Sequence, residues 1–412
     1  MIVNGIIAEY NPFHNGHRYH LDEAKHATGA DYSIVVLGSN FTQRGEPAIL
    51  DKFTRARMAL ENGADLVIEL PISHSASSAE YFAQGGVSIL NQLGIVDFLC
   101  FGSECGDIEI LQEFAKLLLE EPSAYVKDLR SGLAIGHSYP RARNRAITVA
   151  NPELAKNEHV LSSPNNILAI EYLKALLKLG SPMTPHTTLR AGSDYHDRFI
   201  SASFCSALAL RQAVLSGLDL SSLSMQMPES AYKIMQTSLR QTPPVTANDF
   251  SHMLLYKLLS EQDLGYASYM DVSPSLSDRI KKRISRYEGY TNLCESLKSK
   301  DMTYARICRC LLHILLDMKQ EDYLVFGNPA QIPYARVLGF RKDAQPLLNA
   351  IKKNTSIPLI TKLADAKTLL SPHAYDLLCQ DLRRGSFYES IAAQKGGRHA
   401  RDERQIPLEI VE

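Results

Sequence analysis

His14 and His17 are the residues whose type and spacing most directly suggest chemistry. They stand in Phe13-His14-Asn15-Gly16-His17, where a strand-like run ends and a helix-like run begins. The run Ile2-Val3-Asn4-Gly5-Ile6-Ile7-Ala8-Glu9-Tyr10 is short and apolar and closes on the turn formers Asn11 and Pro12. Arg18 to His26 then reads as the first helix of a strand–loop–helix unit. A helix start presents unpaired backbone N–H groups and the positive end of the dipole, so phosphate is its natural ligand. Two imidazoles add side-chain donors in either protonation state, and Gly16 lets a ligand lie against the backbone. An H-x-G-H pattern alone arises by chance; its place at the first β-to-α turn points to the α-phosphate of a nucleotide.

Other positions join this pair with weaker signals. Gly102, in Gly102-Ser103-Glu104 after a strand-like run, would let a base or ribose approach the main chain, or is an ordinary turn glycine. Ser206 can cap a late helix that carries Arg211, a planar donor fork suited to phosphate but equally at home on a helix surface. Glu9, Asp65 and Glu104 are carboxylates within reach of a Mg²⁺ reading, yet they form no spaced cage, and Mg²⁺ is commonly held by nucleotide phosphates. A basic excess between Arg279 and Arg309 includes Lys281, Lys282, Arg283, Arg286, Lys298, Lys300 and Arg306, interleaved with Tyr287, Tyr290 and Tyr304. It could grip a polyanion and stack on bases, or be a solvated helix face. Arg141, Arg143 and Arg145, or the basic tail around Lys395–Arg404, are the other candidate footprints.

The elements that must hold these residues follow from the alternation of patterns. Strand-like runs at Ile2–Glu9, Tyr32–Leu37, Leu66–Leu70, Asp97–Phe101 and His186–Arg190 alternate with helical runs such as Asp51–Asn62, Ser78–Leu93 and Ile108–Leu119. This predicts βαβ crossovers and an α/β, Rossmann-like parallel sheet, with ligands at the strand C-termini. Beyond Leu218 helical patterns dominate, with a short α/β flavour near Tyr334–Leu338 and Leu359–Lys362. At 412 residues two domains are expected, 1–217 and a mainly helical 218–412. A net charge of −1 argues against a uniformly basic nucleic-acid binder. Seven scattered cysteines without a C-x-x-C pair suggest reduced thiols and a cytoplasmic setting. No apolar stretch approaches the roughly 18 residues of a membrane span, and the N-terminus does not read as a secretory leader.

The stretch Met1 to His17 resembles the opening of the tRNA(Met) cytidine acetate ligase family, within the H-x-G-H nucleotidyltransferase superfamily. The similarity continues through Gly38-Ser39-Asn40-Phe41-Thr42-Gln43-Arg44-Gly45-Glu46-Pro47-Ala48, Asp65 to Pro71, Pro164-Asn165-Asn166-Ile167-Leu168, Arg190-Ala191-Gly192 with Tyr195-His196-Asp197, Lys300 to Ile307, and Tyr334 to Phe340. The resemblance implies a two-step reaction. Acetate and ATP give acetyl-adenylate and pyrophosphate; the acetyl group then passes to the wobble cytidine of elongator tRNA(Met), giving N4-acetylcytidine. It implies ATP contacts from Ile7, Ala8, Glu9, Tyr10, Asn11, Pro12, Phe13, His14, Asn15, Gly16, His17, Arg18, Tyr19 and His20, with Gly102, Asn165, Arg190 and Ala191. His14 and His17 would carry the chemistry, and His196 and Asp197 are candidates for taking the amine proton. Leu208 departs from the family, which usually has threonine there, so a hydroxyl contact is not expected from it. The competing readings are an adenylyltransferase acting on a small cofactor precursor and a non-enzymatic RNA-binding protein. Oligomeric state is not legible in the sequence.

Overall fold

The alternating runs of the first half of the chain build one sheet, and that sheet collects further strands from the C-terminus. The computed structural model describes residues 1–190, 205–300, 302–324 and 331–412. Five parallel strands, β1 (Val3–Ala8), β2 (Tyr32–Gly38), β3 (Leu66–Leu70), β4 (Phe98–Ser103) and β5 (Thr184–Leu189), lie in the order β5-β4-β1-β2-β3. Strand order reverses between β1 and β4, and the C-terminal ends of those two strands open the crevice at this switch point.

Continuous burial explains the strand composition. Ile34, Val35, Val36 and Leu37 of β2 are all fully buried. Alternate residues face two separate apolar layers: Ile34 and Val36 pack with Phe82, Val87 and Leu173, whereas Val35 and Leu37 pack with Phe53, Met58 and Leu210. The helices Lys52–Leu60, Ala79–Gln92 and Ile108–Glu120 lie within about two residues of their sequence-based limits, and Pro164–Leu179 opens on the family-like block at Pro164.

The C-terminal half departs from expectation. It does hold a third apolar cluster around Phe250, Leu293, Ile307 and Leu311, packed among helices. It also returns β6 (Ala335–Arg341), β7 (Leu359–Ile360) and β8 (Glu409–Val411) to the same sheet, with β6 antiparallel to β3. The sheet is therefore mixed rather than wholly parallel, and it crosses residue 217. A buried charge network ties these parts together. Lys52 Nζ and Arg336 Nη1 reach Glu69 at 2.5 and 2.8 Å, and both also meet Glu403. Removing one partner would leave a buried uncompensated charge, so the tail is locked to β3. Among the described residues no helix is long and apolar enough to cross a membrane.

Candidate active site

The first loop builds an unusual helix cap. His14 is the N-cap of the helix Asn15–Thr28, and its Nδ1 accepts from Gly16 N at 3.0 Å. In return His17 Nδ1 accepts from His14 N at 3.2 Å, so the two imidazoles form a reciprocal capping box. The rings stack with centroids 3.7 Å apart. Because both Nδ1 atoms accept, the hydrogen-bond network assigns the Nε2–H tautomer to each neutral ring, and Nε2–H is the remaining donor. Tyr10, with a φ of 46°, and Phe13 buttress His17 at centroid distances of 4.8 and 5.6 Å.

Electrostatics keeps these rings neutral. Burial, followed by the charges of Arg190 and Arg211, pushes His14 down to about 3. His17 lies well below the usual imidazole range through burial, then His14, Arg190 and His20. His20 falls to about 4 through burial, then Arg190 and His186. A neutral imidazole donates without first requiring a proton from solvent, and nearby arginines supply the positive charge that an anion needs.

The cleft beside this cap has a volume of about 430 Å³ and gathers residues from across the sequence. From the first loop it takes Ile7, Ala8, Glu9, Tyr10, Asn11, His14, Gly16, His17, Tyr19 and His20; Gly102, Asn165 and Arg190 face it from the other side of the switch point. A Cβ at Gly102 would sit 3.4 Å from Arg190 Cγ, an ordinary contact distance, so Gly102 lies directly beside the arginine. Ser206 also lines the cleft; its side chain accepts from Ala209 N as the expected cap. Arg211 does so too, donating to Asn11 O at 2.8 Å. Leu208 stands at the wall as well.

Several expected contacts fall elsewhere. Phe13 is fully buried beneath the loop; Asn15 Nδ2 donates to Met225 O at 2.9 Å, and Arg18 pairs with Asp22 on the surface. The side chains of Pro12, Phe13, Asn15 and Arg18 do not line the cleft. Ala191, with Gly192, Tyr195, His196 and Asp197, lies outside the described residues, as does Asp301.

The three carboxylates do not fit a protein-held Mg²⁺ site. Glu9 Oε1 accepts from Gln43 N at 2.7 Å, and Glu104 is engaged with Asn165 and Asn166. Asp65, at the opposite end of β3, binds Ser33 N and Lys25. Among the described residues no group of carboxylates is gathered to hold the ion, and Mg²⁺ is commonly held by nucleotide phosphates.

Sequence reasoning missed the roof of the cleft. Gln43 and Arg44 come from the loop after β2, while Ala305 and Arg309 come from the helix Tyr304–Leu315. Gly45, at a φ of 78°, lies against the Arg309 backbone with no space for a side chain, and Arg309 Nη1 donates to Gln43 O at 3.3 Å. The family-like block Gly38–Ala48 held part of this signal; the partner helix lies too far along the chain to be paired with it from sequence. Below the loop, fully buried Arg55 donates to the carbonyls of Leu50, Glu9, Gly38 and Ser39, fixing the ends of β1 and β2.

The candidate polyanion surface is partly corrected. Lys282, Arg283, Arg286, Lys298, Lys300 and Arg306 are exposed; Lys281 is half-buried and donates to Asp263 O at 3.3 Å. Tyr290 is buried and donates to Cys308 O at 3.2 Å, so it cannot stack on a base. Arg145 is taken by Asp128 and Arg143 by Leu161 O. His137 is held below the ordinary imidazole range by burial first, then by the charges of exposed Arg141, of Arg145 and of Lys300.

A mixed, mainly parallel sheet with paired histidines at its switch point defines a nucleotidyltransferase-type α/β protein. The model of the HIGH nucleotidyl transferase family matches residues 1–403, and the chain belongs to that family. Among curated relatives, the tRNA(Met) cytidine acetate ligase of Acetivibrio thermocellus is 42% identical over 372 residues, covering 89% of each chain. That of Halothermothrix orenii is 37% identical over 420 residues, covering 99% of each. The crystal structure of apo Thermotoga maritima TmcAL covers all of both chains with a TM-score of 0.93 at 30% identity. The same protein bound with alpha-thio ATP superposes with a TM-score of 0.90 at 31% identity.

Proposed function

We propose that this chain is an ATP-dependent ligase that activates acetate and acetylates the wobble cytidine of elongator tRNA(Met). The observation that carries the reading is the His14–His17 box: two stacked neutral imidazoles with Nε2–H as their remaining donors, beside Arg190 and Arg211, in the cleft at the switch point. The names of relatives similar over nearly the full chain support it.

In the first step an acetate oxygen attacks the α-phosphorus of ATP, and the bond to the bridging oxygen of pyrophosphate breaks. Little covalent work falls to the protein; alignment and charge neutralisation dominate. His14 and His17 donate through Nε2–H to the α-phosphate and the departing pyrophosphate, while Arg190 and Arg211 supply fixed positive charge. In the second step the N4 amine of cytidine attacks the acetyl carbonyl and AMP leaves as the carboxylate–phosphate anhydride opens. One amine proton departs, with His196 and Asp197 retained as candidates to accept it.

For the RNA, we assign the footprint to exposed Lys282, Arg283, Arg286, Lys298, Lys300 and Arg306, extended by Arg141. The basic face runs toward the cleft because Arg309, on the same helix as Arg306, lines it. Half-buried Tyr287 and Tyr304 remain candidates for stacking on unpaired anticodon-loop bases. In this reading residues 1–217 supply the nucleotide chemistry and 218–412 most of the RNA surface, in the cytoplasm where ATP and tRNA meet. Mass analysis of nucleosides from elongator tRNA(Met) treated with the protein, ATP and acetate tests the proposal. N4-acetylcytidine at the wobble position is expected; pyrophosphate release with a stable adenylylated small molecule and unmodified tRNA would overturn it.

A further inference from the structure

The crevice contains a second helix start, and its occupant is a protein carboxylate. The helix Pro164–Leu179 begins after Ser163, whose side chain makes no capping bond. Glu104, just past β4, takes that place. Its Oε1 accepts from Asn165 N at 3.2 Å and from Asn165 Nδ2 at 2.6 Å, and its Oε2 accepts from Asn166 N at 2.8 Å. Asn166 completes the clasp in the opposite sense. Its Oδ1 accepts from Glu104 N at 2.8 Å and Cys105 N at 3.1 Å, while its Nδ2 donates to Val160 O at 3.1 Å.

An ionised carboxylate only accepts, so it fixes which end of each amide faces it. Asn165 must turn its NH₂ toward Glu104, which leaves Oδ1 on the other side of a residue that lines the cleft. Among the described residues nothing donates to that oxygen. A bare amide oxygen beside an occupied helix start repels ionised phosphate and requires a donor. In a nucleotide, donors belong to the ribose hydroxyls and the exocyclic amine of the base.

We propose that Glu104 is a positioning residue that locks the Asn165 amide with its oxygen in the cleft, making Asn165 an acceptor for a donor group on the nucleoside half of ATP. The inference rests on the reading of the cleft as an ATP site. It also orients the nucleotide: nucleoside over Gly102 and Asn165, triphosphate toward His14 and His17.

The test measures acetate-dependent exchange of labelled pyrophosphate with ATP, 2′-deoxy-ATP, 3′-deoxy-ATP and purine riboside triphosphate, which lacks the amine. The wild-type protein should disfavour one of the three analogues by about tenfold or more in kcat/KM, and that analogue identifies the donor. Asn165→Ala and Glu104→Gln should each abolish that discrimination and raise KM for ATP by about tenfold, with a much smaller change in kcat. The double variant should be no worse than either single one, because both act on one contact. Asn165→Ala leaves the main-chain bonds to Glu104 in place; should Glu104→Gln not fold, Glu104→Asp, which keeps the charge but shortens its reach, carries the comparison. Discrimination that persists in both variants, effects that add fully, or a wild-type protein indifferent to all three analogues would overturn the inference. Calorimetric ATP binding by the wild-type protein separates the two levels. No binding removes the ATP reading itself; binding with unaltered variants removes only the role of Glu104.

Discussion

Two helices start at the same crevice, and the protein treats them in opposite ways. The start of Asn15–Thr28 is capped by neutral imidazoles from its own first turn. The start of Pro164–Leu179 is plugged by the carboxylate of Glu104, 61 and 62 residues away from its partners. Both starts carry the same dipole, yet only the first is left free of negative charge. A helix N-terminus is therefore an anion site only where the fold withholds its own anion. The contrast gives the two starts different roles, with neutral imidazole donors open to the cleft at the first and a carboxylate already seated on the second.

The largest expected effect comes from removing the donors of the first start. His17→Ala should lower acetate-dependent pyrophosphate exchange by about two orders of magnitude or more, as loss of a preorganised donor does. His14→Asn separates chemistry from capping. Asparagine is a good N-cap, so unfolding in denaturant should shift by less than about 1 kcal/mol. Exchange should still fall steeply, because Nε2–H is gone. A variant with full exchange activity would remove these rings from the reaction.

A smaller effect is expected away from the cleft. Charge reversal of Lys282, Arg283 and Arg286 to Glu should weaken tRNA binding by about tenfold or more at low salt and reduce the slope of log affinity against log salt. Acetyl-adenylate formation should be spared. Unchanged RNA affinity would move the footprint toward Arg141 and the tail.

The third test uses pH. His14, His17 and His20 all hold folded-state values below the ordinary 6.5. Between about pH 6.5 and 4 the unfolded chain therefore binds protons that the folded chain does not. Stability should fall as pH drops through that window, by up to about 1.4 kcal/mol per pH unit for His14 alone, and this contribution should be constant above about pH 7. Denaturant midpoints across pH 4–8 measure it; the slope should shrink in His14→Asn.

The smallest effect concerns the second start. Asn166→Ala should cost about 1–3 kcal/mol by unpairing the amides of Glu104 and Cys105, seen as a shift of denaturant midpoint at constant slope.

Much of the first start was legible in the sequence. The strand Val3–Ala8, the turn at Asn11-Pro12 and the H-x-G-H spacing are local, and local patterns survive folding. The imidazole cap was not legible, because cap preferences favour Ser, Thr, Asp and Asn, and histidine carries no such signal. The second start was half legible: Asn165 stood in a family-like block, but its partner Glu104 is joined to it only by the closing of β4 against a distant helix. Tyr290 looked like a stacking residue because sequence shows composition before burial, and the core claimed it. Strand β6 read as part of a separate tail, since nothing local announces an antiparallel partner such as β3, roughly 270 residues earlier.

The central claim is that His14 and His17 meet the triphosphate as neutral Nε2–H donors. Nitrogen-15 NMR of histidine-labelled protein, with and without a non-reactive ATP analogue, addresses it directly. The account predicts two Nε2–H tautomers that stay neutral from pH 5.5 to 8 and whose Nε2 signals shift on nucleotide binding. Rings that titrate near 6.5, or whose signals ignore a bound nucleotide, would contradict it.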